Sequence, residues 1–340
     1  MISVAWGHRL LLLLPFLLTA VLWGWTALDN RAAGVSRPPG FFARNGWPVG
    51  IYLLLAAGVW LVVLVALPQL SMIDMSFRHK LPINQIGGPR DTYTLENYRY
   101  FLFGSTTSTS SWNVVHLRAF AMTIISSLLI TALNFIICYP IAYYLARIAR
   151  GAQLRLLLVL LIAPFWVNDI LRAFAFRIVF SEKGLINTAL LGVGWIAQPI
   201  DFIGFNIALF AGLIYAYTLM MVFPLYNALD SVEAAQIEAA RDLGAPWWHI
   251  HLFIVMPAAK AGIASGCTLV FMLATGALAA PLVLGGPSTL WFTPIVYDRF
   301  YQVFNWPQGA AYAFVLLAGC IALVITALRL LRLSLADIAR

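Results

Sequence analysis

Charge is scarce in this chain. Only 10% of its 340 residues are Asp, Glu, Lys or Arg and 62% are hydrophobic, which excludes an ordinary soluble domain and points to an integral membrane protein. Acidic residues are the scarcer sign, 13 against 21 basic. A net charge of +8 could attract nucleic acid, but the basic residues are mostly arginines at the ends of apolar runs, where they act as topology signals. No nucleic-acid partner is therefore expected. Cysteine is rare, and Cys138, Cys267 and Cys320 all lie inside apolar segments, so no disulfide framework is implied and each reads as a small packing residue. No Gly-Lys pair occurs anywhere, which excludes a phosphate-cradling P-loop in these residues. The five histidines are scattered, and His249 and His251, two apart, belong on different helix faces, which argues against a metal pair. Ser, His and Asp occur without a motif that gathers them. No catalytic residue and no metal ligand is assigned.

What is present is a series of apolar runs with basic ends. Residues 10–28 are apolar and just long enough to cross a bilayer; an interfacial helix is the alternative, and a signal peptide is disfavoured because no small-x-small cleavage site follows. Residues 29–48 carry Arg31, Arg37 and Arg44 against Asp29, which marks a cytoplasmic linker. Further spans are expected at about 49–73, 119–145, 156–179, 204–228, 258–284 and 308–330. Arg147, Arg150 and Arg155, with no acidic residue among them, are the clearest cytoplasmic marker. Seven spans would put residue 1 outside and the tail, 333–340, inside. The span 156–179 carries Asn168, Asp169, Arg172 and Arg177, and ionisable groups at membrane depth must face a protein interior or a water-filled path. Gly262 and Gly266 form a small-x-x-x-small face for close helix packing.

Between two of these runs lies a polar stretch, about residues 230–257. Asp230 and Glu233 have the spacing of a capping box, and the alanine-rich sequence after them has high helix propensity. A helix is expected to start there. Gly244 sits where a glycine C-cap belongs, and Pro246 suits the first turn of a second short helix ending near Pro257. Ala234, Ala235, Ala239 and Ala240 are small enough to admit another surface. The plain alternative is a solvated helix face with one weak Glu238–Arg241 pair.

The spacing of Glu238, Ala239, Ala240, Gly244, Ile254, Met256 and Pro257 resembles the EAA loop of the membrane subunits of binding-protein-dependent ABC importers, with Met256 where leucine is commoner. Outside the loop, Ala163-Pro-Phe-Trp-Val-Asn168 with Arg172, Lys183-Gly-Leu-Ile-Asn187, Tyr215-Ala-Tyr217, Leu284-Gly-Gly-Pro287 and Asn305-Trp-Pro307 resemble segments of the spermidine/putrescine branch. The segment Ala277-Leu-Ala-Ala-Pro-Leu-Val-Leu284 departs from it, lacking an acidic residue that members often carry there.

The resemblance implies an all-α integral membrane protein of the bacterial inner membrane, with a six-helix importer permease core (49–332) and an extra N-terminal transmembrane helix. It implies no enzyme activity and no cofactor in this chain, ATP and Mg being bound by partner subunits. The implied partners are a second permease subunit, two ATP-binding subunits, a periplasmic solute-binding protein and membrane lipid. In that family the loop is cytoplasmic and its first helix docks on the ATPase, so Glu238, Ala239, Ala240 and Gly244 are the expected coupling residues. Trp166, Asp169, Tyr215 and Tyr217 offer a carboxylate and aromatic faces to a cationic solute, or else Asp169 pairs structurally with Arg172 and the tyrosines are packing.

Overall fold

The computed structural model describes residues 47–82, 85, 88–89, 91–105, 112–286 and 289–331. The expected first span, the linker up to residue 46 and the tail lie outside them. Among the described residues every named element is a helix. Contacts divide the chain into two compact units, Met1–Tyr98 with Asn305–Ala311, and Arg99–Phe304 with Tyr312–Arg340.

In the first unit α1 (Trp47–Leu61) runs through a π-helical turn, Val62–Ala66, into α2 (Leu67–Ser76). Pro68, at the start of α2, has no N–H to give to the preceding turn, and the widened turn absorbs that loss. Ala57–Ser76 is long and apolar enough to cross a membrane. The polar segment after it is organised by Arg78, which binds Asp74 at 2.8 Å and Asp91 at 2.6 Å. Asn97 Nδ2 donates to the carbonyls of Ser76 (2.8 Å) and Arg78 (2.9 Å), tying down the end of α2.

The second unit is built on two long helices. After α3 (Glu96–Phe103), Asn113 caps α4 (Val114–Arg147), its side chain accepting from His116 N. At 34 residues α4 is about 51 Å long and overshoots the apolar layer. The expected span 156–179 is instead two helices, α5 (Gly151–Ile162) and α6 (Asp169–Val179), bent by 95°. Pro164 cannot donate to a continuing helix, Val167 turns extended, and the Asn168 side chain accepts from Ile170 N to start α6 afresh. Next come α7 (Leu185–Val193) and α8 (Ile207–Asp230), the latter matching expectation closely.

After α8 follow α9 (Ala234–Asp242), α10 (Trp247–Ile250), a π-helical turn His251–Val255, and α11 (Met256–Ala258). The chain then bends by 78° into α12 (Lys260–Thr275). That bend falls where the span 258–284 was expected to begin, and the span itself is broken after Thr275, where residues 276–278 leave the helix before α13 (Ala279–Leu284). α14 (Phe292–Tyr301) and α15 (Trp306–Leu330) are the last of the described elements. Among the described residues four helices are long and apolar enough to cross a membrane singly, or up to six spans result if each bent pair counts as one.

α8 packs against both α4 and α12. Asn134, fully buried in α4, donates to Ile214 O of α8 at 2.9 Å, so its amide is not orphaned. The glycine face of α12 permits the other contact: a Cβ on Gly262 would lie 2.3 Å from Ala228 Cβ, and one on Gly266 would lie 3.0 Å from Met221 Sδ. Only glycine lets these backbones approach so closely.

Candidate functional site

Two places in the second unit carry the residues singled out from the sequence. The first is an open cavity of about 260 Å³ walled by α6, α8 and the break between α12 and α13. Asp169, the first residue of α6, lies where a carboxylate is favoured by the helix N-terminus. Its side chain is 76% exposed, and one oxygen meets Arg172 Nη2 at 3.3 Å. Arg172 is itself buried: Nη2 also donates to Val167 O at 2.7 Å, Nε has no partner, and the guanidinium lies 5.9 Å from the Tyr215 ring centre. The pair between an exposed carboxylate and a buried arginine leaves the second Asp169 oxygen for a ligand.

Tyr217 lines the same cavity, its hydroxyl donating to Leu273 O at 3.1 Å. Tyr215, two residues away, lines a neighbouring cavity of about 220 Å³ with Phe165, and Arg172 lines both. Trp166 belongs to neither; it is 86% exposed, beside Val159, Ile162 and Ala163. The structure therefore unites Asp169 with Tyr217, sets Tyr215 behind Arg172 and leaves Trp166 apart.

One feature of the wall escaped the sequence reading. The C-terminus of α12 ends at this cavity, with Leu273, Gly276 and residues 277–280 in its lining. The last carbonyls of a helix carry partial negative charge, so this end adds to Asp169 on the side of the wall where the expected acidic residue is missing. Thr275-Gly276 followed by Pro281 was the available signal.

The second place is the polar loop. Asp230 does not cap its first helix, because α8 runs unbroken to Asp230 and holds that residue in helical backbone. The capping position falls to Glu233, extended at ψ 127° and making no side-chain cap. Gly244 adopts φ +76°, its N–H bonds to Arg241 O at 2.9 Å and that of Ala245 to Ala240 O at 3.0 Å. This is a Schellman cap. Pro246 stands at the capping position of α10, one residue earlier than expected, with its carbonyl accepting from His249 and Ile250.

Within α9, Glu238 and Ala239 are exposed while Ile237 and Ala240 are buried in the core. Ala240 therefore packs inward and does not join an outward small-residue face. Glu238 and Arg241 form no ion pair among the described residues. Beyond the cap, His251 turns inward to hydrogen-bond Tyr139 OH of α4 at 2.8 Å, and its ring packs 4.5 Å from Tyr143. His249 stays outside against Trp248 and Phe253. Leu243, Trp247 and Phe253 are left exposed around the cap.

A family model described as "Binding-protein-dependent transport system inner membrane component" matches residues 139–333. The chain belongs to this family. It is a transport permease, a multi-pass protein of the bacterial inner membrane. Among its relatives is "Spermidine/putrescine transport system permease protein PotB" of Salmonella typhimurium (strain SL1344), 32% identical over 283 residues, covering 82% of this chain and 94% of that one. PotB of Escherichia coli (strain K12) is 32% identical over 252 residues, covering 74% and 86%. A bacterial ABC transporter involved in the import of the polysaccharide alginate shares the permease fold, with a TM-score of 0.62 and 15% identity, covering 84% of this chain and 95% of that one.

Proposed function

We propose that this permease forms, with a second permease subunit, the membrane pathway of an ATP-driven importer for a polyamine such as spermidine or putrescine. The observation that carries the reading is the 32% identity extending over 94% of a spermidine/putrescine permease. The cavity offers groups that suit an ammonium ion, an exposed Asp169 carboxylate and the carbonyl end of α12, beside the Arg172 guanidinium that pairs with Asp169, and the Tyr217 ring suits the alkyl chain between charges.

In this reading Glu238, Ala239 and Gly244 present α9 to one of two ATP-binding subunits, and Ala240 anchors the helix from behind. ATP and Mg are held by those subunits. A periplasmic binding protein delivers the solute to the outer mouth, and ATP-driven rocking of the loop exposes the cavity to each side in turn. Tyr215 flanks that path behind Arg172, and Trp166 lies apart from it. Arg172, lining the cavity beside Asp169, favours a second reading in which the cargo is another small organic solute that also carries an acceptor group.

The test is uptake of labelled spermidine into proteoliposomes containing the complete complex, with ATP enclosed in the lumen, the side that the ATP-binding subunits face. Binding-protein-dependent, ATP-dependent uptake is expected. Equal uptake from a proton or sodium gradient without ATP would replace the reading with an ion-coupled carrier.

A further inference from the structure

We propose that the permease binds a phosphate group at its cytoplasmic end, in a cavity where α4, α5 and α8 meet. The cavity measures about 400 Å³ and is lined by Arg147, Arg150, Gly151, Leu154, Tyr226 and Asp230 among others. It is distinct from the solute cavity, with which it shares no residue.

Four observations converge on an anion. Arg147 gives Nη2 to Val232 O, but its Nε is buried with no partner, and an N–H shut away from water without an acceptor is costly enough that a missing acceptor is implied. Arg150 is exposed, and among the described residues neither arginine forms an ion pair. α5 begins at this point with Arg150 in the capping position, extended, and no side chain satisfying the first turn. A helix start of this kind offers N–H donors and partial positive charge. Finally, the Tyr226 hydroxyl, half-buried in the wall, has no protein partner among the described residues.

Two guanidinium groups, backbone N–H donors and a hydroxyl arriving from three helices match the several oxygens of a phosphate better than the two of a carboxylate. Asp230 is the one opposing charge and leaves the wall net positive. The position, at the end of a spanning helix beside the arginine cluster of residues 147–155, is the level of lipid headgroups on the anionic leaflet. The geometry therefore points to the phosphodiester of an anionic phospholipid as the source. Because Arg147 also holds Val232, two residues before α9 begins, occupancy of the cavity steadies the base of the polar loop.

The experiment is native mass spectrometry of the full chain, delipidated and then offered phosphatidylglycerol, cardiolipin, phosphatidylcholine or inorganic phosphate. Wild type should retain the anionic lipids over phosphatidylcholine by roughly tenfold. Arg147→Gln combined with Arg150→Gln should abolish that preference. Arg155→Gln, which removes the same charge just outside the cavity, should keep it. Arg150→Gln alone and Tyr226→Phe give the same reading should the double variant not fold, each weakening retention severalfold. Arginine-dependent binding of inorganic phosphate without lipid retention would support the anion site and assign it to a soluble phosphate. Equal retention of phosphatidylcholine, or loss as large in Arg155→Gln as in the cavity variants, would overturn the proposal.

Discussion

Replacing Gly244 by valine isolates the role of the loop's turn. At φ +76° the residue is in the left-handed region, and nothing lies within 4 Å of where a Cβ would sit. A Cβ there meets no clash. The cost of valine is backbone strain, about 2 kcal/mol for a β-branched residue in this conformation, which favours uncapped loops roughly 30-fold over wild type. Two bonds would be released with the turn, Gly244 N to Arg241 O and Ala245 N to Ala240 O, and the direction of α9 with them. The core would be untouched, so Gly244→Val should reach the membrane in normal amounts. In nanodiscs with its partner subunits it should retain basal ATP hydrolysis and lose most of the stimulation by loaded binding protein. Asparagine visits the left-handed region readily, so Gly244→Asn should retain much of the coupling. Full coupling in the valine variant, or equal damage in both, would refute the argument from backbone conformation.

Other expectations follow from the same geometry. Asp169→Asn should leave stability within about 1 kcal/mol, because a pair with a 76%-exposed carboxylate contributes little, while raising the KM of polyamine uptake; unchanged transport kinetics would make Asp169 purely structural. Gly262→Val should push α12 from α8, since even a Cβ would lie 2.5 Å from Pro224 O; a loss of about 1–3 kcal/mol would appear as a lower Tm in detergent, whereas Gly192→Ala, with open space around it inside α7, should leave the Tm unchanged or raise it slightly. Asn187→Ala should cost about 2–4 kcal/mol locally. This side chain is fully buried and bonds to Ser181 O, Ile200 O and Ile200 N, so the variant's loop 181–206 should be cut faster by protease added from outside. An unchanged cleavage rate would contradict that.

The parts of this molecule legible in its sequence were those fixed by local chemistry. Gly244 was read as a cap because only a residue without a Cβ takes that turn cheaply, and the glycine pair of α12 because spacing alone brings both onto one face. The uninterrupted helices α8 and α15 followed from apolar length. The sequence reading failed where an apolar run hides a break: residues 156–179 and 258–284 are hydrophobic enough to read as single spans, yet Pro164 with Asn168, and Gly276 ahead of Pro281, interrupt them. Hydropathy averages over such breaks. Asp230 was misread for a related reason, since a capping spacing has no force when the preceding helix has not ended. The gathering of Asp169, Tyr217 and the end of α12 around one cavity depends on those breaks and on contacts between residues more than 50 apart, as with Tyr217 and Leu273. No local pattern encodes that arrangement.

Coupling of polyamine delivery to ATP hydrolysis by partner subunits is the activity proposed for this permease. The direct measurement is the ATP hydrolysis rate of the assembled complex in nanodiscs, with its binding protein empty or loaded with spermidine, putrescine, a choline-like cation or a neutral solute. Stimulation by the spermidine- or putrescine-loaded form alone is predicted. A complex that assembles, hydrolyses ATP at a basal rate and responds to neither polyamine, or responds only to a neutral solute, would contradict it.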